Sequence, residues 1–150
     1  MDKISPEARS RNMSRIRGKN TKPEKYIRGL LYHAGFRYRI NYKLLSGTPD
    51  LFLGKYKTVL FINGCFWHRH KECRYATTPK SNTEFWENKF RRNVERDKRV
   101  YEKLKEEGYK VLVVWECTIN QMVKDSAFEE EIMKAVMKDI RNESLEFTEY

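Results

Sequence analysis

Residues 58–62, Thr58-Val59-Leu60-Phe61-Ile62, and residues 110–115, Lys110-Val111-Leu112-Val113-Val114-Trp115, are two short β-branched apolar runs. Runs of this kind read as strands buried on both faces. Between them Thr83 starts a charged helix, 84–107, stopped by Gly108. A helix joining two such strands is a crossover, so the strands are expected to lie parallel with a right-handed connection. Working back towards the N-terminus, Asp50-Leu51-Phe52-Leu53 is a short strand tied to 58–62 by a tight Gly54-Lys55 connection. Ser46-Gly47-Thr48-Pro49 is a turn, and Phe36, Tyr38, Ile40 and Tyr42 alternate with polar residues as a strand does. These first three strands are close enough for an antiparallel meander. Thr21-Lys22-Pro23-Glu24 is a capping box for a helix through Leu30 and Leu31 that ends at Gly35. Ser5-Pro6-Glu7 opens an earlier helix that fades near Gly18. Ser126 and Glu129 form another capping box, and Phe128, Ile132, Val136 and Ile140 make the apolar stripe of a last helix. The order α-α-β-β-β-α-β-α predicts an α/β fold, a mixed central sheet flanked by helices on both faces.

The chain has 150 residues, enough for one domain, 1–150, with a real core. Mean hydropathy is low at -0.84, yet 13% of the residues are aromatic, which argues against disorder. Charge is uneven. Residues 1–50 carry 12 basic and 4 acidic side chains, 51–100 carry 12 and 5, and 101–150 carry 7 and 12, which gives +8, +7 and -5 and a total of +10. A basic two-thirds joined to an acidic tail points to a polyanion, nucleic acid before others, on one face, with 1–20 as a basic N-terminal helix and 121–150 as an acidic C-terminal helix turned away. No apolar run approaches the ~20 residues that span a bilayer. The N-terminal stretch lacks the apolar centre of a secretion signal, so no membrane partner and a cytoplasmic location are expected. No internal repeat divides the chain.

Cys65, His68, His70 and Cys73 fall within nine residues, and Cys117 follows the buried strand 110–115. Structural zinc takes four Cys/His ligands in a tetrahedron, and three cysteines with one histidine satisfy it. If strands 58–62 and 110–115 are neighbours, Cys65 and Cys117 meet at one end of the sheet. Two histidines compete for one place, and spacing does not choose between them; the other is free for chemistry. Ordinary buried thiols are the competing reading. Asp50, after Pro49 and at the start of a strand, is placed to hold a hard cation such as Mg²⁺ at the sheet rim. Glu24 reads first as a capping residue and second as a metal-site acid. Lys57 and Asn63 bracket the next strand, Lys57 as a solvated strand-end lysine. A metal that acidifies water and an imidazole that takes its proton are the two needs of phosphodiester hydrolysis.

Five segments together name a family: ARSRNMSRIRGKNTKPE (8–24), GTPDLF (47–52), NGCFWHRH (63–70), TEFWENKFRRNVERD (83–97) and VLVVWEC (111–117). Across roughly residues 5–120 the chain resembles the very-short-patch (Vsr) DNA mismatch endonucleases. The resemblance implies a restriction-endonuclease-like fold with a structural zinc site. It implies nicking of one strand 5′ of the thymine in a T·G mismatch, in repair of deaminated 5-methylcytosine. It assigns Mg²⁺ to Asp50, with the Ile62 carbonyl as second ligand, the hydrolytic histidine to His68, and zinc to Cys65, His70, Cys73 and Cys117. It places Phe66, Trp67 and Trp86 in the base stack beside the mismatch, and Met13 as a wedge from the other groove. Asn63 stands where well-known members carry a second active-site histidine; it can bind a phosphate oxygen or orient water, but it cannot titrate.

Physical chemistry supports those roles. A mismatch stacks poorly, and apolar wedges unstack a base step at about a few kcal/mol, offset by wider contact with bent DNA. Arg9, Arg11, Arg15 and Arg17, with Lys19, are expected on phosphates. Arg91, Arg92, Arg96 and Arg99 either act similarly or share a solvated helix face with Glu95 and Asp97. The expected partner is a T·G-mismatched duplex, bound by a monomer that works alongside other mismatch-repair proteins. Two rivals stand: a restriction-type endonuclease cutting matched or modified DNA, and a non-catalytic zinc-stabilised DNA-binding module.

Overall fold

The computed structural model describes residues 20–150. The expected N-terminal helix, with Met13, Arg9, Arg11, Arg15, Arg17 and Lys19, lies outside the described residues.

The first described helix, α1 (Lys22–His33), opens on the predicted capping box. The Thr21 side chain accepts from the Glu24 N–H, and the Glu24 carboxylate accepts from the Thr21 N–H. Strands β1 (Arg39–Ile40), β2 (Leu51–Leu53) and β3 (Thr58–Asn63) follow as an antiparallel meander. Helix α2 (Thr83–Glu106) then crosses over to β4 (Lys110–Trp115), which pairs parallel with β3 from Thr58↔Lys110 to Asn63↔Trp115. Helices α3 (Glu116–Lys124) and α4 (Ser126–Arg141) lead to β5 (Phe147–Glu149), parallel to β4, so the sheet order is β1-β2-β3-β4-β5.

Side chains of β3 and β4 alternate between two cores. Leu60, Leu112 and Val114 join Leu51, Leu53, Ile27, Leu31, Ile119, Met122, Val136 and Ile140 under α1, α3 and α4. Val59, Phe61, Val111, Val113 and Trp115 join Cys65 and Leu104 on the side of α2. Both faces of the sheet are therefore covered, as the crossover predicted.

Four expectations need correction. The strand over 36–42 shrinks to Arg39–Ile40, because Asn41 adopts a left-handed φ of 46° and Ile40 lies exposed on an edge strand. The last helix is capped by Asp125, which accepts from the Ala127 and Phe128 N–H groups, and not by Ser126, which is its first helical residue. The acidic stretch 121–150 is no single helix: it holds the end of α3, all of α4 and β5. Helix α3 and strand β5 were absent from the predicted order. Among the described residues, no helix is long and apolar enough to cross a membrane.

Candidate active site and metal centre

At the end of the sheet where β3 and β4 finish, four chain segments converge. Asp50 stands just before β2, and its Oδ2 accepts from the Ile62 N–H at 2.7 Å. In a ladder, both backbone groups of one residue turn towards the same neighbour, so the Ile62 carbonyl opens on the same side. Glu24 reaches Asp50 from the first turn of α1. It is only 4% exposed, and its Oε2 also lies 3.3 Å from Arg28 Nη2. Arg28 in turn donates to Asn20. Burial pushes the Asp50 carboxyl up to about 7; the Ile62 N–H opposes this, and the neighbouring Glu24 carboxylate adds to it. The buried Glu24 and half-buried Asp50 carboxylates beside a backbone carbonyl form an all-oxygen donor set that fits a hard divalent cation, whose charge would relieve their repulsion. Glu24 thus serves both as cap and as the second carboxylate of the pair.

His68 lies in the loop after β3, which the His68 N–H fixes by donating to the Gly64 carbonyl at 3.1 Å. Its Nδ1 sits 2.6 Å from Asp97 Oδ2 on α2. A carboxylate on one ring nitrogen sets the tautomer and leaves Nε2 to handle a proton. One helical turn further along α2, the Tyr101 hydroxyl accepts from Asn63 Nδ2 at 2.7 Å. Asn63 is 3% exposed, so its amide is held in the protein interior. Burial raises the Tyr101 phenol well above its ordinary range, and the charges of Asp97 and Asp50 raise it further. That phenol thus feels both carboxylates, one from the Glu24 pair and one from the imidazole pair.

Sequence reasoning missed Asp97 and Tyr101 as site residues. Asp97 was expected to pair with arginines on a solvated face, whereas it pairs with His68. The signal was present, since it closes the NVERD segment that helped to name the family. Lys57 lies at the opposite end of β3, in a left-handed conformation, away from Asp50.

Beside this site, Cys65 Sγ, His70 Nδ1, Cys73 Sγ and Cys117 Sγ all fall within 4.8 Å of one another. His70 Nδ1 is 3.6 Å from Cys65 Sγ and 3.4 Å from Cys117 Sγ. A tetrahedron with Zn–S ≈ 2.3 Å and Zn–N ≈ 2.0 Å has S···N edges of about 3.5 Å, so the donor set fits a zinc ion. The His70 ring is stacked on Trp115 at 4.1 Å, and the Cys117 N–H donates to Cys65 Sγ. Burial pushes the Cys65 thiol up to about 12, and a bound cation would hold it as the thiolate. Because β3 and β4 are neighbours, Cys65 and Cys117 meet at the same sheet end, as anticipated.

The aromatic side chains form a half-buried cluster. Phe66 meets Trp67 at 5.0 Å, Trp86 at 6.1 Å and Phe90 at 5.1 Å between ring centroids. Lys89 Nζ lies over both Trp67 and Trp86, and Phe85 extends the group into solvent. Arg69, next to the histidine, staples the loop. It donates to the carbonyls of Phe66, Ala76 and Thr77 and to Thr78 Oγ1, with its guanidinium 3.9 Å over Phe90. Arg91, Arg92, Arg96 and Arg99 are exposed along α2.

A carboxylate pair, an oriented imidazole and a Cys/His centre at one sheet end define a candidate hydrolase site. Comparison with known proteins narrows this. A family model described as "DNA mismatch endonuclease Vsr" matches residues 1–74. The chain is 40% identical to "DNA mismatch endonuclease Vsr" of Escherichia coli K12, over 83% of this chain and 80% of that protein. It is 43% identical to "Type II nicking enzyme V.NmeAIP" of Neisseria meningitidis serogroup A, over 94% and 97%. It is 44% identical to "Type II nicking enzyme V.XorIIP" of Xanthomonas oryzae pv. oryzae, over 81% and 88%. The chain belongs to the Vsr family of DNA endonucleases.

Proposed function

We propose that this protein nicks one strand of duplex DNA 5′ of the thymine in a T·G mismatch, by Mg²⁺-dependent phosphodiester hydrolysis, and so starts repair of deaminated 5-methylcytosine. The observation that carries this reading is the convergence of the Glu24–Asp50 pair, the Ile62 backbone and the Asp97-held His68 beside the aromatic cluster. The names of the relatives support a nick in DNA, and one of them is named for mismatches. A restriction-endonuclease-like fold is consistent with the mixed five-stranded sheet.

Asp50, Glu24 and the Ile62 carbonyl would hold Mg²⁺, which when bound offsets charge on the scissile phosphate and acidifies water. His68 takes the proton of the attacking water at Nε2, while Asp97 stabilises the resulting imidazolium through Nδ1; general base catalysis of this kind contributes about 10²–10⁴-fold. Asn63, locked to Tyr101, supports the end of β3 without moving a proton. Zinc held by Cys65, His70, Cys73 and Cys117 fixes the loop that presents Phe66 and Trp67, and Trp86 joins them from α2. These rings stack against bases at the mismatch, each worth roughly 1–3 kcal/mol. Residues 1–150 act as one domain, Met13 and the N-terminal arginines contact DNA, and the protein works as a cytoplasmic monomer together with other mismatch-repair proteins.

The test is strand-specific nicking of end-labelled T·G and matched duplexes with Mg²⁺. A single nick 5′ of the mismatched thymine is expected. Equal or better cutting of the matched duplex would favour a restriction-type enzyme, and binding without cutting would favour a DNA-binding module.

A further inference from the structure

The β1–β2 connection leaves and rejoins the sheet beside Asp50. The Asn41 N–H donates to the Asp50 carbonyl at 3.1 Å, and the Tyr42 N–H to the Pro49 carbonyl at 3.0 Å. The Thr48 N–H closes the tip by donating to the Leu45 carbonyl at 3.2 Å. Leu45 packs inward against the core beneath α2, which includes Val100. Gly47 has φ of +75°, and a Cβ there would stand 2.4 Å from Val100 Cγ1, so this backbone is pressed onto the helix. Tyr42 stacks on Phe52 at 4.7 Å, with the Arg39 guanidinium 5.9 Å from its ring. Both stems are thus bonded and the middle is seated on α2, which holds the loop in one shape. Leu44 is left 82% exposed, the most exposed large apolar side chain among the described residues, with Lys43 exposed beside it.

Folding offers no reason for a leucine at this tip. Its position offers one. The sheet order β1-β2-β3-β4 puts this loop on the β1 side of Asp50, whereas the loop carrying Phe66 and Trp67 departs from β3 towards the end of β4. The carboxylate pair therefore lies between two protrusions. We propose that Leu44 is a substrate-positioning residue that seats in a groove of the duplex on the opposite flank of the cleavage site from Phe66, Trp67 and Trp86, with Lys43 on an adjoining phosphate. The inference rests on the reading of the site as a DNA nicking site. The tip, residues 43–48, folds through the Leu45–Thr48 turn onto α2, so Leu44 is presented to the duplex from a fixed backbone. A firm apolar contact there fixes the register of the duplex over Asp50 and supports the bend that unstacking rings produce.

The experiment is fluorescence anisotropy of a labelled T·G duplex on the full chain without divalent metal, followed by steady-state nicking with Mg²⁺. Leu44→Ala is expected to raise Kd and KM roughly three- to tenfold, with kcat and melting temperature unchanged, because the side chain supports no packing. Leu44→Met is expected to restore most of the binding. Lys43→Ala should flatten the slope of log Kd against log salt by about one unit. Val123→Ala, at an exposed apolar side chain on α3, serves as control and should change nothing. An unchanged Kd for Leu44→Ala, or an equal loss in Val123→Ala, overturns the inference. Since the primary readout is binding, a wild-type protein that fails to nick T·G overturns the proposed function while the Kd comparison still decides the role of Leu44.

Discussion

Replacing Asp97 with asparagine removes one charge and leaves the shape of the site intact. The contact between His68 Nδ1 and Asp97 Oδ2 spans 2.6 Å, the short range of charge-assisted hydrogen bonds. The two side chains are 26% and 18% exposed, so water screens them only in part. A hydrogen bond to a charged group contributes about 1.5–3 kcal/mol. At 1.36 kcal/mol per tenfold in rate, losing it in the transition state slows hydrolysis roughly 10- to 150-fold. A second effect acts in the same direction: an amide NH₂ facing Nδ1 favours the tautomer that protonates Nε2, which then cannot accept a proton. Single-turnover nicking, with enzyme in excess over the T·G duplex, isolates the chemical step. Asp97→Asn should lower that rate by at least the stated factor with duplex Kd unchanged, and Asp97→Ala, which loses the bond without trapping the wrong tautomer, should fall within that range. If both variants nick within about twofold of wild type while His68→Ala is inactive, Asp97 does not orient the base and the reasoning fails.

Asp50 couples the site to pH. Its folded pKa of about 7 lies above the ordinary 3.8, so the folded protein keeps a proton that the unfolded chain releases. Metal-free stability should therefore fall as pH rises from about 4 to 7 and level off above, a slope that denaturant melts of Asp50→Asn should lack. The same variant should bind duplex normally yet not nick it, and wild-type Mg²⁺ affinity should climb towards pH 7. Cys117→Ser removes one of four clustered donors, so bound zinc by elemental analysis and the melting temperature should both drop, whereas a full zinc complement would refute the ligand set. Leu112→Ala, in the fully buried middle of β4, should cost about 2–5 kcal/mol in denaturant melts, with nicking preserved at low temperature.

Composition and periodicity were enough for the sheet centre. Continuous β-branched runs at 58–62 and 110–115 leave few alternatives to buried parallel neighbours, and that pairing brings Cys65 to Cys117. The Thr21–Glu24 box was equally readable, because both reciprocal bonds are local. Elements without a local signal escaped notice. Helix α3 follows directly on Trp115 with no capping side chain, and β5 is three residues long, defined only by its pairing with β4. In the site, the carboxylate and the imidazole stood out by residue type, while Asp97 and Tyr101 did not. Their partners lie 29 and 38 residues away in the chain, and on a helix so rich in charge an aspartate looks solvated until the tertiary structure turns it inward.

Helix α2 has a further consequence. Trp86, Phe90, Asn93, Asp97, Tyr101 and Leu104 follow one another at steps of three and four along its 24 residues, about 36 Å of rigid rod. In order they meet the ring cluster, the Trp67 carbonyl, His68, Asn63 and the core. One extra residue anywhere in that row would swing everything after it by about 100° and break stacking, proton handling and packing out of phase with each other. This segment can therefore drift in the letters on its outer side but not in its length, and gains or losses of chain are confined to the turns at either end.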